Sequence, residues 1–204
     1  KYPYPEMPSS PSRPDRRPVR PFVTVVGGLL LIIAGARLAL IHHLGTGLPF
    51  WDQWEQEAEG LILPWIDGKL SLADFFAPHN DHWPVFPRLW SFALFLIHGQ
   101  WSNKLEAIAN IPLAAASALV LVLPLRGRLG DRAWLGIVLL AAALFALPFS
   151  WENTLWGIQS VVYFLNFFSF FHLWAVTTRR PLGAPWWLGY LAGFCARLSL
   201  RSGV

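Results

Sequence analysis

The chain has 204 residues, 54% of them hydrophobic and only 14% charged. Soluble domains carry about a quarter charged residues, so the composition excludes a water-facing globule and implies a lipid-facing one. The formal charge of +4 comes from cations that flank apolar runs rather than cluster with aromatics, which argues against nucleic acid as a partner. A lone cysteine, Cys195, excludes an intramolecular disulfide and any cysteine metal cluster.

Residues 1–21 are rich in Pro, Ser and Arg and predict a disordered tail. Arg13, Arg16, Arg17 and Arg20 precede the first apolar run and mark that side as cytoplasmic. The only methionine is Met7, so the first six residues read as translated leader. The last apolar run breaks into Arg197-Leu198-Ser199-Leu200-Arg201-Ser202-Gly203-Val204, the pattern of a frame-shifted fragment of a longer protein. On that reading the coding DNA beyond Gly193 continues, in another frame, into further apolar segments.

Phe22–Leu44 is long enough to cross a hydrocarbon core of roughly 30 Å. Arg37 lies inside this span and needs a partner or a route to the interface. Residues 45–104 then form an outer loop. Between 45 and 83 it carries seven acids (Asp52, Glu55, Glu57, Glu59, Asp67, Asp74, Asp81) against one cation, Lys69. Trp51, Trp54, Ala58 and Leu61 recur at helical spacing, with Asp52, Glu55 and Glu59 on another face, which predicts an amphipathic helix on the membrane surface. Ser71-Leu72-Ala73-Asp74 is a capping-box pattern that starts a second helix. Pro87–Gly99 is apolar but short of a perpendicular span.

Further spans are expected at about 105–125, 133–149, 156–177 and 185–199. If Pro87–Gly99 does not cross, Arg126, Arg128, Arg132, Arg179 and Arg180 all fall on the cytoplasmic side. Ser150-Trp151-Glu152-Asn153 then lies outside with the acidic loop. The expected fold is all-α: a polytopic transmembrane bundle over 22–204 with juxtamembrane surface helices.

Three polar constellations gather at one membrane face. Asp52 sits just past the first span, and with Glu55 three residues on it is either a capping box or a base positioned for proton transfer. Pro78-His79-Asn80-Asp81-His82-Trp83-Pro84, followed by Arg88, is either a polar turn or a set of ligands for an anionic group. A divalent metal is compatible with it but not indicated, and no cofactor is expected. Trp151-Glu152-Asn153-Thr154 starts or caps the next helix, and Gln159, an amide costly to leave unpaired in the membrane, is expected to face the bundle and border a cavity with Glu152.

The order of basic tail, span, acidic first outer loop, surface helices and His-containing turn resembles the amino-terminal half of the GT-C superfamily of membrane glycosyltransferases, especially the bacterial protein-mannosyltransferase and aminoarabinose-transferase type. The residues from Pro78 through Leu89, with Trp151-Glu152-Asn153 and Gln159, also look like uncharacterised bacterial membrane proteins related to it. The resemblance covers roughly residues 22–194. It implies the bacterial inner membrane and a polyprenyl-phosphate-linked sugar donor, with transfer at the outer face. Asp52 then deprotonates an acceptor hydroxyl, and His79, His82 and Arg88 lie near the departing lipid phosphate. Glu55, Asn80, Asp81, Glu152, Asn153 and Gln159 complete the substrate-contacting set. The family's His-Pro-Pro turn is replaced by His79-Asn80-Asp81-His82-Trp83-Pro84, and members have more spans than this chain holds, so the fragment itself is expected to be inactive. The rival readings are a transporter or flippase, which places polar groups near the bilayer midplane, and a non-catalytic membrane protein.

Overall fold

The computed structural model describes residues 19–200; residues 1–18, which hold the expected leader and most of the tail expected over 1–21, and the last four residues lie outside them. Among the described residues the chain is an all-helical bundle. Helix α1 (Val19–Leu44) begins three residues before the expected span, taking in Val19, Arg20 and Pro21 from the predicted tail. A proline in a first helical turn costs little, because its missing N–H has no partner there anyway.

The loop that follows holds a π-helix (Trp54–Ile62), the single turn α2 (Leu63–Ile66), a 3-10 turn (Leu72–Phe76) and α3 (Val85–His98). Then come α4 (Asn103–Val122), α5 (Asp131–Ala146), α6 (Trp151–Leu155), α7 (Ser160–Thr178) and α8 (Ala184–Arg197). Four stretches are long and apolar enough to cross a membrane: Phe22–Leu44, Asn103–Leu125, Asp131–Leu155 and Gly157–Thr178. The chain is thus an integral membrane protein by length and composition of its helices. Helices α3 and α8, at 14 residues each, rise about 21 Å at 1.5 Å per residue, short of the hydrocarbon core.

Side-chain packing fixes the helix directions. Leu29 and Ile33 of α1 pack with Ala118 and Val122 of α4 and with Trp134, Val138, Ala141 and Ala142 of α5. Farther along α1, Ile41 meets Ala107 and Ile111 of α4 and Leu155 of α6. So α4 runs against α1 while α5 runs with it. One end of the bundle holds the start of α1 beside Arg126, whose guanidinium lies 4.5 Å over the Phe22 ring. The other end holds the loop, α6 and most of its tryptophans. Helix α8 packs back along α7, where His172 Nδ1 lies 2.8 Å from the Gly189 carbonyl. Leu198, just past α8, accepts the Val85 N–H at 2.8 Å. Beyond the other end of α3, Asn103 N–H meets the Gly47 carbonyl at 3.2 Å.

Arg37 finds its partners inside the bundle. It is 5% exposed, its Nε donates to the Phe145 carbonyl at 2.8 Å, and its Nη1 donates to the Tyr163 hydroxyl at 2.5 Å. The Tyr163 hydroxyl in turn donates to the Asn153 carbonyl. A buried guanidinium is costly unless its donors are satisfied, and this relay ties α1, the end of α5, α6 and α7 together. Tyr163→Phe removes the relay's central oxygen and is expected to destabilise the protein by about 1–3 kcal/mol, read as a lowered thermal midpoint in detergent; an unchanged midpoint contradicts this role for the hydroxyl.

Candidate functional site

The site grows from the end of α1. After Leu44 the chain turns through Thr46 to Phe50, and Trp51 takes a left-handed conformation with φ +52°. That conformation is rare for a bulky residue and costs of order 1 kcal/mol or more. It is held from two residues on: the Gln53 Oε1 accepts the Phe50 N–H at 3.3 Å. Around this corner Phe50 stacks on Trp156 at 5.4 Å, and Trp51 meets the same indole edge-on at 5.2 Å.

Asp52 emerges from this corner with a side chain 52% exposed, and its Oδ2 lies 3.7 Å from His79 Nε2. It does not form the expected capping box; Gln53 is the residue before the helix and makes no side-chain cap bond either. His79 opens a tight turn closed by two reciprocal backbone bonds, His79 N–H to the His82 carbonyl at 2.9 Å and His82 N–H to the His79 carbonyl at 3.0 Å. Asn80, at φ +50°, makes the reversal; asparagine tolerates that region better than most residues. Asn80 and Asp81 are exposed at the tip, while His79 and His82 are half-buried. Each imidazole has one buried nitrogen, His79 Nε2 and His82 Nδ1, with no hydrogen-bond partner. The two sequence constellations therefore converge as an acid beside a histidine turn. Among the described residues no three His, Cys, Asp or Glu side chains converge on a metal position.

Arg88 serves the loop itself. It is 3% exposed, and its Nη1 donates to the carbonyls of Asp74, at 2.9 Å, and Ala77. Burial lowers its pKa, and Asp74 nearby partly counters this. The expected capping box at Ser71 is present, with the Ser71 N–H and hydroxyl both bonded to Asp74 Oδ2 at 2.7 and 2.9 Å. Those bonds, backbone first, lower the Asp74 pKa. The helix they start is a short 3-10 turn.

The first surface helix has a polar buried side. Its acids Asp52, Glu55 and Glu59 and its indoles Trp51 and Trp54 are exposed, and the buried side is Gln53, Gln56, Glu57, Ala58, Leu61 and Ile62. The helix is wound as a π-helix, with Leu63 N–H reaching the Ala58 carbonyl five residues back, a rare form that is frequent at functional sites. Glu57 is 3% exposed, and Glu106, one turn into α4, is equally buried. Gln53 Nε2 bridges them, 3.1 Å from Glu57 Oε2 and 3.3 Å from Glu106 Oε2, and Trp101 Nε1 donates to Glu57 Oε2 at 3.0 Å. Burial raises the Glu57 pKa, with the donor bonds from Trp101 and Gln53 opposing it. Sequence reasoning counted Glu57 only as one acid of the loop and passed over Gln53 and Glu106. The available signals were the four-residue spacing of Gln53 and Glu57 in line with Leu61, and a glutamate inside an apolar span.

Glu152 is exposed at the start of α6, and Gln159 is half-buried in the 3-10 turn Gly157–Gln159. Asn153 and Thr154 lie within α6, and α7 begins without a side-chain cap. The break between α6 and α7 is instead satisfied by α4. Asn103 Oδ1 accepts the Gly157 N–H at 2.6 Å, Asn103 Nδ2 donates to the Leu155 carbonyl at 2.9 Å, and Asn110 Nδ2 donates to the Gly157 carbonyl at 2.6 Å.

The chain matches no family model, no curated protein and no solved structure. The site's chemistry therefore rests on its geometry.

A Cβ at position 157 would lie 2.6 Å from both the Cβ and Oε2 of Glu106. Gly157→Ala is therefore expected to cost about 1–3 kcal/mol of stability by overpacking, measured as a lowered thermal midpoint in detergent; a wild-type midpoint removes the close packing of this break on α4.

Proposed function

We propose that this chain is part of a membrane glycosyltransferase that moves a sugar from a polyprenyl-phosphate carrier to an acceptor hydroxyl at the outer face of a bacterial inner membrane. One observation carries the reading: the half-exposed Asp52 carboxylate stands 3.7 Å from His79, at the end of the bundle opposite Arg126. In this reading Asp52 takes the acceptor's proton as the new bond to the sugar's anomeric carbon forms. The bond from that carbon to the carrier phosphate breaks, and the polyprenyl phosphate leaves with its bonding electrons. His79 and His82 supply N–H donors to the departing phosphate, where charge increases. Glu55, Asn80, Asp81, Glu152, Asn153 and Gln159 stand around this face as candidates for sugar and acceptor contacts, and Arg88 supports the loop.

The arginines give the orientation. The start of α1 and Arg126 share one end, which the positive-inside bias assigns to the cytoplasm. That leaves the tryptophan-rich end outside, where a long lipid carrier presents its phosphate at the water boundary. Polar groups at one edge favour surface chemistry over a transport path through the midplane.

The test is Asp52→Asn in the full-length protein, assayed in membranes with labelled polyprenyl-phosphate sugars. Transfer is expected to fall by about 100-fold or more, with membrane insertion and thermal midpoint unchanged. Undiminished transfer removes Asp52 from the mechanism, and accumulation of label inside sealed vesicles without transfer turns the reading to transport.

A further inference from the structure

The mechanism leaves the buried carboxyl pair of Glu57 and Glu106 unused. Both are within 3% of full burial, and one amide, Gln53 Nε2, bridges them at 3.1 Å from Glu57 Oε2 and 3.3 Å from Glu106 Oε2. Two carboxylates that share one donor out of water cannot both be ionised without large repulsion; such pairs retain a proton between them. Glu57 Oε2 receives two N–H groups, from Trp101 and Gln53, and Glu106 Oε2 shares the Gln53 amide.

The pair is also tied to the Asp52 corner. The Gln53 amide donates to both carboxyls and through its oxygen accepts the Phe50 N–H. That single side chain spans the segment in which Trp51 is held at φ +52° and Asp52 turns toward His79. On the other side Glu106 packs under Gly157, so the same pair rests on the α6–α7 break. We propose that Glu57 and Glu106 hold one proton between them and act, through Gln53, as positioning residues that fix the turn carrying Asp52.

The proposal rests on the glycosyltransferase reading only for what Asp52 does; the fixing of the turn stands apart from it. Among the described residues no salt bridge reaches either carboxyl of the pair. From α3, Arg88 is bonded to the Asp74 and Ala77 carbonyls and Ser91 is neutral. From the π-helix itself, Glu55 and Glu59 are exposed, and at its start Asp52 faces His79. From α4, Lys104 is half-buried two residues before Glu106.

The sign of the pH dependence follows. A carboxyl whose pKa the fold raises favours the native state fully below its ordinary value, about 4.3, and that contribution is lost as pH rises through the native value. Glu57 is raised by burial, so the lock weakens on the alkaline side. Glutamine at position 106 imitates the protonated acid: its amide can donate to Glu57 and its oxygen can accept from Gln53.

The experiment is hydrogen exchange by mass spectrometry on the purified chain in detergent, comparing wild type, Glu106→Gln and Glu106→Ala at each pH so that intrinsic exchange cancels. Residues 50–62 are followed, with α5 as the internal control. Between about pH 6 and about pH 9.5, wild-type exchange in 50–62 is expected to rise about tenfold over that of Glu106→Gln, while α5 stays level. Glu106→Ala should exchange fast at every pH. A flat ratio of wild type to Glu106→Gln, or a Glu106→Gln segment as open as Glu106→Ala throughout, overturns the proposal. Should Glu106→Gln not fold, Glu57→Gln replaces it, because it too removes one ionisation while keeping an acceptor for Trp101, and the same two outcomes decide. Sugar transfer is not read, so failure here and failure of the Asp52 assay are separate results.

Discussion

A stripe of buried polar side chains on α4 is the constraint on which the rest of this bundle depends. Asn103, Glu106, Asn110 and Ser117 are all buried, and their spacing keeps them on one helical face. Each meets a different part of the chain: Asn103 the carbonyls of Thr46 and Leu155, Glu106 the Gln53 amide, Asn110 the Gly157 carbonyl and the Trp90 indole, Ser117 the Tyr163 carbonyl. In a bilayer a backbone group without a partner costs several kcal/mol, so a helix can be interrupted only where something replaces its lost bonds. The extended residue Trp156 interrupts the chain between α6 and α7, and Asn103 and Asn110 take up both polar groups of the Gly157 backbone. The break exists because α4 provides for it.

The same face governs the loop above. Gln53 and Glu57 are buried against α4 and the end of α3, not exposed among the other acids of the loop, because Glu106 and Trp101 complete their hydrogen bonds. That docking sets the rotation of the π-helix, and the rotation sends Asp52, Glu55 and Glu59 outward. At the middle of the bundle, Arg37 and Tyr163 do for α1, α5 and α7 what the asparagines do for the break, joining helices through backbone carbonyls rather than through opposite charges. Such bonds are insensitive to the order in which side-chain charges titrate, so the acid pair is the part of this framework on which pH can act.

The spans were legible because lipid imposes a length and a composition on them, and local sequence contains both. The Ser71–Asp74 box was legible for the same reason, its donors and acceptor lying within one turn. Arg37 was readable as a residue in need of partners but not as the partner of Phe145 and Tyr163, since those lie far away in sequence. The surface helix was read for a tryptophan face and an acidic face, and Glu57 was counted among the loop's acids with no face of its own. Its burial depends on long-range partners and on the π winding, neither of which local hydrophobicity contains. Asp52 and His79 could each be singled out as chemistry-bearing types, but only the fold brings them within 3.7 Å.

Two acids of this segment, Asp52 and Glu57, then differ in kind through their access to water. Asp52 is half exposed at a rim where Trp51, Trp54, Trp83 and Trp151 also stand exposed, indoles of the sort that settle at a membrane–water interface. There the carboxyl meets water and stays open to the membrane surface. Glu57, five residues on, sits behind that rim with an indole and an amide as its donors and a second acid as its neighbour. An acid in that setting is poorly suited to exchanging protons with a substrate and well suited to holding one. One stretch of chain thus sets an accessible carboxyl apart from a buried one by the depth at which each lies, and the separation depends on Gln53, which bonds both to the Phe50 N–H before the corner and to the buried acids.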